Sequence, residues 1–174
     1  MLIVRSLNFD HKQLLYASVN VSPKLGIFRP RWGFYYKQQF FDTRKYGASK
    51  ALSKPLLSCS LNNNFALSET MNAAIRLNAS TTHADGFLMM KSGYSVNLQF
   101  DKSFANRTWI IYLSANDIFK TAKERWTMYG LGAGTTKDCY NYTRNISLQV
   151  TYNFNAKRSK YKGTGAGNEE KSRL

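Results

Sequence analysis

The feature that most restricts this chain is a strict two-residue alternation of apolar and polar side chains, repeated in runs of roughly ten residues. In the run Arg144 to Phe154, Ile146, Leu148, Val150, Tyr152 and Phe154 share one face, while Ser147, Gln149, Thr151 and Asn153 share the other. A helix would scatter these residues around its circumference; a strand sorts them completely. The same sorting recurs upstream. Met71, Ala73, Ile75, Leu77 and Ala79 oppose Asn72, Arg76, Asn78 and Ser80, and Tyr94, Val96, Leu98 and Phe100 oppose Ser95, Asn97, Gln99 and Asp101. Leu57, Cys59, Leu61, Phe65 and Leu67 form a further run in which Asn63 is the exception. Shorter runs cover Leu15–Val21 and Trp32–Tyr36. Around Trp109–Ala115 the pattern blurs, because Ile110 and Tyr112 fall on the polar side.

Turn-forming stretches separate these runs: Ser22–Lys24, Leu67–Thr70, His83–Gly86, Phe104–Arg107 and Ala133–Thr136. The pattern predicts eight or nine strands and no helix of ordinary length. No stretch of about 18 apolar residues occurs, which excludes a membrane helix but not a membrane strand. Alternation alone fits a soluble sandwich, a small soluble barrel or a membrane barrel. The polar faces favour the third. They carry Asn, Ser, Thr and Gln and few carboxylates, as a crowded, hydrogen-bonded interior requires, whereas a water-washed sheet is usually rich in Lys and Glu. Aromatic residues near the strand ends (Trp32, Tyr36, Phe65, Tyr94, Trp109, Trp126, Tyr129, Tyr152, Phe154) suit interfacial girdles. The expected fold is therefore all-β. Residues 1–155 are read as antiparallel transmembrane β-barrel strands, a meander forming part of a larger up-and-down barrel. Residues 156–174 are read as a basic, glycine-containing, disordered tail. A large soluble sheet with an aromatic core stays open on these residues.

The net charge of +15, from 25 Lys and Arg against 10 Asp and Glu, raises nucleic acid as a partner. The basic residues are spread along the chain, with one cluster in the last twenty residues, and no nucleic-acid-binding motif is present, so no nucleic acid is expected. Chemistry is equally sparse. His11 and His83 are far apart, no four-ligand metal spacing exists and no Gly-x-Ser-x-Gly elbow occurs, so no metal, cofactor or catalytic residue is assigned and no enzyme is expected. The glycine runs at 130–134 and 163–167 lack the Gly-Lys-Ser/Thr continuation of a phosphate loop. Cys59 and Cys139 are placed near opposite ends of the barrel and are not expected to bridge. The first residues, MLIVRSLNFDHKQLL, do not form a signal peptide, so the expectation is a fragment or a truncated frame with its start upstream.

The C-terminal stretch YNFNAKRSKYKGTGAGNEEKSRL resembles the closing signature of the Bacteroidota outer-membrane β-barrel family related to TonB-dependent receptors. Leu113–Phe119, with its Asn116-Asp117-Ile118-Phe119, resembles a turn of such barrels. The resemblance implies the C-terminal part of a TonB-dependent receptor-like barrel in the cell outer membrane, engaged in substrate uptake. Its implied partners are outer-membrane lipid, the rest of the barrel and an upstream plug, the barrel insertion machinery, and a TonB system acting through the plug. In that class the last strand runs inward. Counting back makes 132–141 an extracellular loop, 123–131 an outward strand, Asn116–Ala122 a periplasmic turn, 107–115 inward and 92–103 outward, with the tail periplasmic. Arg76, Asn78, Asn97, Gln99, Asp101 and Gln149 become lumen-facing candidates, and Tyr152 and Phe154 an assembly signal. The alternatives are a small complete barrel with a structural or adhesive role and a soluble basic β-domain that binds nucleic acid or glycan.

Overall fold

A computed structural model describes residues 12–48, 52–130 and 133–154. The first eleven residues and the basic tail at 156–174 lie outside the described residues, so the expectations for the tail are not addressed by it. The described strands are β1 (Gln13–Val21), β2 (Phe28–Phe40), β3 (Leu56–Ser68), β4 (Met71–Ser80), β5 (His83–Asp85), β6 (Leu88–Met90), β7 (Gly93–Phe104), β8 (Trp109–Asn116), β9 (Lys123–Gly130), β10 (Ala133–Tyr140) and β11 (Asn145–Tyr152). A 3-10 turn, Thr43–Tyr46, follows β2 and is the one helical element among the described residues. Seven strands form one antiparallel sheet in the order β1-β2-β3-β4-β7-β8-β11; the other four form a second sheet, β10-β9-β6-β5.

The strand count exceeds the eight or nine expected, and the order differs from a simple meander. The supposed turn at His83–Gly86 contains β5, and the supposed turn at Ala133–Thr136 is the first half of β10. Neither carries an apolar alternation: β5 is three residues long, and β10 reads AGTTKDCY. More consequentially, β8 pairs with β11 rather than with β9, from Asn116↔Asn145 to Trp109↔Tyr152. The apolar row Trp109, Ile111, Leu113, Ala115 finds its match in Tyr152, Val150, Leu148, Ile146. β9, with Lys123, Glu124 and Arg125 in succession, has no comparable apolar row to offer. Because β8 and β11 are antiparallel, 107–115 cannot run the same way as 144–154. The directions assigned to 107–115 and 92–103 are therefore reversed relative to the last strand, and Asn116–Ala122 opens a long excursion rather than forming a short turn.

All three long excursions (41–55, 81–92 and 117–144) leave the seven-stranded sheet at the same end. The short connections β1–β2, β3–β4 and β7–β8 lie at the opposite end. The β7–β8 turn is tight enough to place Ala105, Asn106 and Arg107 at positive φ (48°, 54° and 69°). Asn153 ties it down, donating its Nδ2 to the Arg107 carbonyl at 2.9 Å.

Register makes one face of the large sheet predominantly apolar, with interruptions at Gln38, Asn63 and Lys102. One cross-strand row reads Leu148, Leu113, Phe100, Ala73, Phe65, Phe28; another reads Tyr94, Ala79, Cys59, Phe34, Val19. These side chains are not packed into a core. Leu148 is 67% and Val19 60% exposed, whereas the buried apolar residues among those described are Ala48, Leu52, Ala74 and Ala84. A soluble sheet would hide such a face. Along β7 this face carries Tyr94, Val96, Leu98, Phe100 and Phe104, interrupted near the short-turn end by Lys102, whose ammonium lies 5.2 Å from the Phe104 ring centroid. Tyr94 to Phe104 is about 33 Å of strand at 3.3 Å per residue, and at a tilt of about 40° that gives roughly 25 Å, the height of a barrel's hydrocarbon band with its interfacial rim. Aromatic side chains gather at the short-turn end of this face, with Trp109–Tyr152 and Tyr152–Phe154 ring centroids 4.5 Å apart and Phe28–Phe65 at 5.0 Å.

The exception noted in the alternation, Asn63, lies on the apolar face between Pro30 and Ile75. Trp32 Nε1 donates to Asn63 Oδ1 at 2.9 Å, which satisfies the amide oxygen where water is scarce. Trp32→Phe is expected to destabilise the sheet by about 1–2 kcal/mol, and the double change Trp32→Phe/Asn63→Leu to recover most of that loss, because both polar partners leave together. Urea titration in lipid of the two variants checks this.

Candidate functional site

The opposite face of the large sheet is lined by hydroxyls and amides, and the second sheet roofs its long-excursion end. The polar row Asn20, Gly33, Ser60, Asn78, Ser95 crosses five strands in register. With Ser18, Ser58 and Ser80 it forms the floor of a cavity of about 720 Å³. His83, Met90, Lys91, Glu124, Arg125 and Asn141 border the cavity from the excursions, and it stays open to one side, where Cys59, Ala79 and Tyr94 also reach it. At Gly33 the space is set by close approach: a Cβ there would meet Asn20 Oδ1 at 2.9 Å.

Three groups of polar contacts fix the roof. Gln39, 1% exposed at the end of β2, donates its Nε2 to the Leu52 carbonyl at 2.6 Å and accepts from Gly86 N at 2.8 Å. It thus joins the first excursion to the β5–β6 hairpin. Lys37 reaches Asp85 at 2.9 Å from the same strand; that lysine lowers the Asp85 pKa below the ordinary carboxylate range, against the opposing effect of burial. Phe41 packs on Tyr46 and Phe87, and Leu52, in the same excursion as Tyr46, is fully buried.

Asp117 holds the second contact group. It is 1% exposed and adopts φ 46°. Its Oδ1 accepts from Thr121 N at 2.8 Å and Ala122 N at 3.2 Å, and its Oδ2 accepts from the Thr143 hydroxyl at 2.8 Å. Its own N–H donates to Asn97 Oδ1 on the sheet. Burial opposes the charge, but donation from Thr143, Thr121, Tyr140 and Ala122 outweighs it and holds the pKa below the ordinary value. One carboxylate therefore gathers both ends of the 117–144 excursion over β7.

In the third group, Glu124 of β9 accepts from Lys137 Nζ at 2.7 Å, Trp126 Nε1 at 3.0 Å and Asn141 Nδ2 at 3.4 Å. These donors, Lys137 first, bring its pKa from 4.5 to about 2. A depressed carboxylate stabilises the folded form fully above its unfolded pKa of 4.5, and that contribution disappears as pH falls through 2. Protection of the β9 and β10 amides, taken relative to the intrinsic exchange rate at each pH, is accordingly expected to hold from pH 7 to about 4.5 and to fall below it. Glu124→Gln removes the Glu124 share of that pH dependence and leaves the share that Asp117 contributes at lower pH.

The six candidates named from sequence all fall on the polar face, but they do not form one site. Asn78 lines the roofed cavity. Gln99 and Asp101 lie in a smaller cleft of about 330 Å³ toward the short-turn end, with Arg29, Arg31 and Asn72. There Asn72 Nδ2 donates to Asp101 at 2.8 Å, and Gln99 Oε1 is buried without a hydrogen-bond partner. Arg76 stands between Asn62 and Asn97 across the strands. Gln149 sits on the edge strand opposite Tyr112. Ile110 and Tyr112 point to the polar side, which explains the blurred alternation of β8. Cys59 and Cys139 are both free. They are not at opposite ends: Cys59 borders the roofed cavity, and Cys139 donates to Asn141, another of its lining residues. Sequence reasoning missed Gln39, Lys37, Asp85 and Glu124, because their partners are 13 to 48 residues away in the chain.

The family model described as outer membrane protein beta-barrel family matches residues 2–152. The chain belongs to that family. No curated protein and no solved structure matches it. Membership accounts for the exposed apolar face: in an outer-membrane barrel, this is the side that meets hydrocarbon, and the amide- and hydroxyl-rich side faces away from lipid. In this family member the large sheet is an open arc. Among the described residues, β1 and β11 each have a partner on one side only.

Proposed function

We propose that this arc belongs to a receptor-class barrel that takes up a polar solute through the outer membrane, with the roofed cavity at its mouth. The cavity on the polar face is the observation that carries this reading. Its floor is rich in hydroxyls and amides, and its roof adds Lys91, Lys123 and Arg125 against Glu124 alone, which suits a polar solute of neutral or negative charge better than an apolar one. The resemblance of the C-terminal signature to TonB-dependent receptors supports energised uptake through a plug, with Arg76, Asn78, Asn97, Gln99, Asp101 and Gln149 lining the plug or the passage.

Strand parity requires at least one further strand beyond the seven described. Seven antiparallel strands leave β1 and β11 running the same way. Joining them to each other, or to copies around an axis normal to the membrane, would make a parallel pair, whereas bacterial outer-membrane barrels are antiparallel. Open edges cannot stand in hydrocarbon. The complement that closes this arc therefore supplies an odd number of strands. Barrels of this kind have short periplasmic turns and longer extracellular loops. On that rule the three long excursions face outward, β11 runs inward, and Tyr152 and Phe154 end at the periplasmic rim, where the insertion machinery reads the last strand.

Thiol labelling tests the orientation. Tyr142→Cys is expected to react with an impermeant reagent on intact cells, and Asn106→Cys only after the outer membrane is permeabilised. Deleting the gene tests the function: energy-dependent uptake of one class of polar solute is lost while the envelope stays sealed. A leaky or less adhesive envelope with every uptake rate unchanged would favour a structural role instead.

A further inference from the structure

We propose that the polar face of the large sheet guides an anion, so that the solute drawn along it carries a phosphate, carboxylate or sulfate group. This narrows the solute of the uptake reading above, on which it rests. By alternation the seven strands place four cations on this face, Arg29, Arg31, Lys37 and Arg76, against one acid, Asp101. Lys37 is engaged by Asp85 of the second sheet, and Asp101 accepts from Asn72. Among the described residues, none of the three arginines pairs with a carboxylate.

Register brings those arginines together. Arg31, Asn62, Arg76 and Asn97 form one cross-strand row, so the backbone positions of the two arginines stand about 10 Å apart with a neutral amide between them. Arg29, Asn64, Ala74 and Gln99 form the next polar row toward the short-turn end. In the other direction the row of Arg31 adjoins Gly33, Ser60, Asn78 and Ser95, the floor of the roofed cavity. That cavity carries Lys91, Lys123 and Arg125, and its Glu124 is already held by Lys137. The cations thus continue from the mouth down the face. Arg29 and Arg31 line the smaller cleft, which shares no lining residue with the roofed cavity. Apart from Phe65 and Ala73, the residues lining that cleft alternate onto the polar face. Asp101 borders it from β7, three strands away from Arg29 on β2. Arginines without acids repel one another, and a row of them lowers the energy of a passing anion while raising that of a cation. Their forked N–H donors match the oxygens of an oxyanion. A neutral solute would use only the amides and hydroxyls and would leave that repulsion in place.

The test reads the charge preference of a thiol set between Arg31 and Arg76. Protein carrying Asn62→Cys, Cys59→Ser and Cys139→Ser is purified from outer membranes with whatever strands complete its barrel and placed in phosphatidylcholine discs. A sulfonated and a trimethylammonium methanethiosulfonate reagent are compared, each rate divided by that of the same reagent with a small thiol in solution. The anionic reagent is expected to react about tenfold faster, the lower end of what a focused field supplies. Arg31→Gln/Arg76→Gln should reduce the preference to about twofold, and Arg31→Lys/Arg76→Lys should retain it. Lys45→Gln/Lys54→Gln, which removes as much charge from the first excursion, should leave it unchanged. In the deletion strain, the solutes whose uptake is lost are expected to be anionic. Equal rates for the two reagents mean that acids of the completing strands neutralise the arginines; that result overturns the anion and leaves the uptake reading standing. A preference that survives Arg31→Gln/Arg76→Gln, or lost uptake of neutral or cationic solutes alone, does the same. A thiol that reacts with neither reagent until the protein is denatured means that the face is covered, which overturns the passage along it and the anion together.

Discussion

Asp117→Ala is expected to release the 117–144 excursion from the sheet while leaving the seven strands paired. The substitution removes the acceptor for two backbone N–H groups and one hydroxyl, all held within 2.8–3.2 Å of a carboxylate that is 1% exposed. Hydrogen bonds to a charged group contribute about 1.5–3 kcal/mol each; some of the freed donors regain water, so a local loss of about 3 kcal/mol is expected. Alanine also tolerates the positive φ at this position poorly, whereas asparagine accepts it. Asp117→Asn keeps an acceptor for Thr121 and Ala122 and should lose only about 1 kcal/mol. The readout is proteolysis within 117–144 together with amide exchange across β9 and β10, set against exchange in β8 and β11. Unchanged protection of the hairpin in the alanine variant would remove Asp117 from its role as the anchor of the roof. The charge at Asp117 adds to the acid response of Glu124. Its pKa is also depressed, so its contribution is present above the ordinary 3.8 and is lost only as pH falls through the lower folded value.

The membrane wall was legible in the sequence, and the roof was not, for a physical reason. A wall strand is long and one-sided, so period two is written along it many times: β4, β7 and β11 each repeat the pattern over eight residues or more. Even the exception at Asn63 and the blur at β8 are written in the sequence. The roof strands β5 and β6 have three residues each, too few to establish a period, and β9 and β10 carry polar groups on both sides. Counting every strand-like run into one meander placed β9 in the wall, and that single insertion inverted the direction of each strand before it. The clue that could have corrected it lay in β9 itself. Lys123, Glu124 and Arg125 give it charge on both faces, and no wall strand can direct a run of charges into hydrocarbon. Asp117 sat inside a stretch already singled out, but its role depends on Thr143, 26 residues later, and no local pattern contains that pair.

Leu98→Arg should produce the largest loss of folded protein, and its contrast with Gln149→Arg separates a lipid-facing sheet from a water-facing one. Leu98 sits midway along the apolar positions of β7, in the row Ile146, Ala115, Leu98, Ile75. It is 40% exposed with no protein packed over it, so only solvent or lipid determines what it prefers. An arginine at the bilayer midplane of a barrel costs about 2–4 kcal/mol and near the interfaces about 0–1. Gln149 is on the polar face of β11, and an arginine there stays near other amides and hydroxyls, so folding in lipid should change by less than about 0.5 kcal/mol. Were the sheet bathed in water on both sides, both arginines would be harmless surface changes. The ratio of heat-modifiable to unfolded protein, measured for both variants after refolding the completed barrel into lipid, tells the two apart. Equal folding of the two variants would mean that the exposed apolar rows do not face acyl chains.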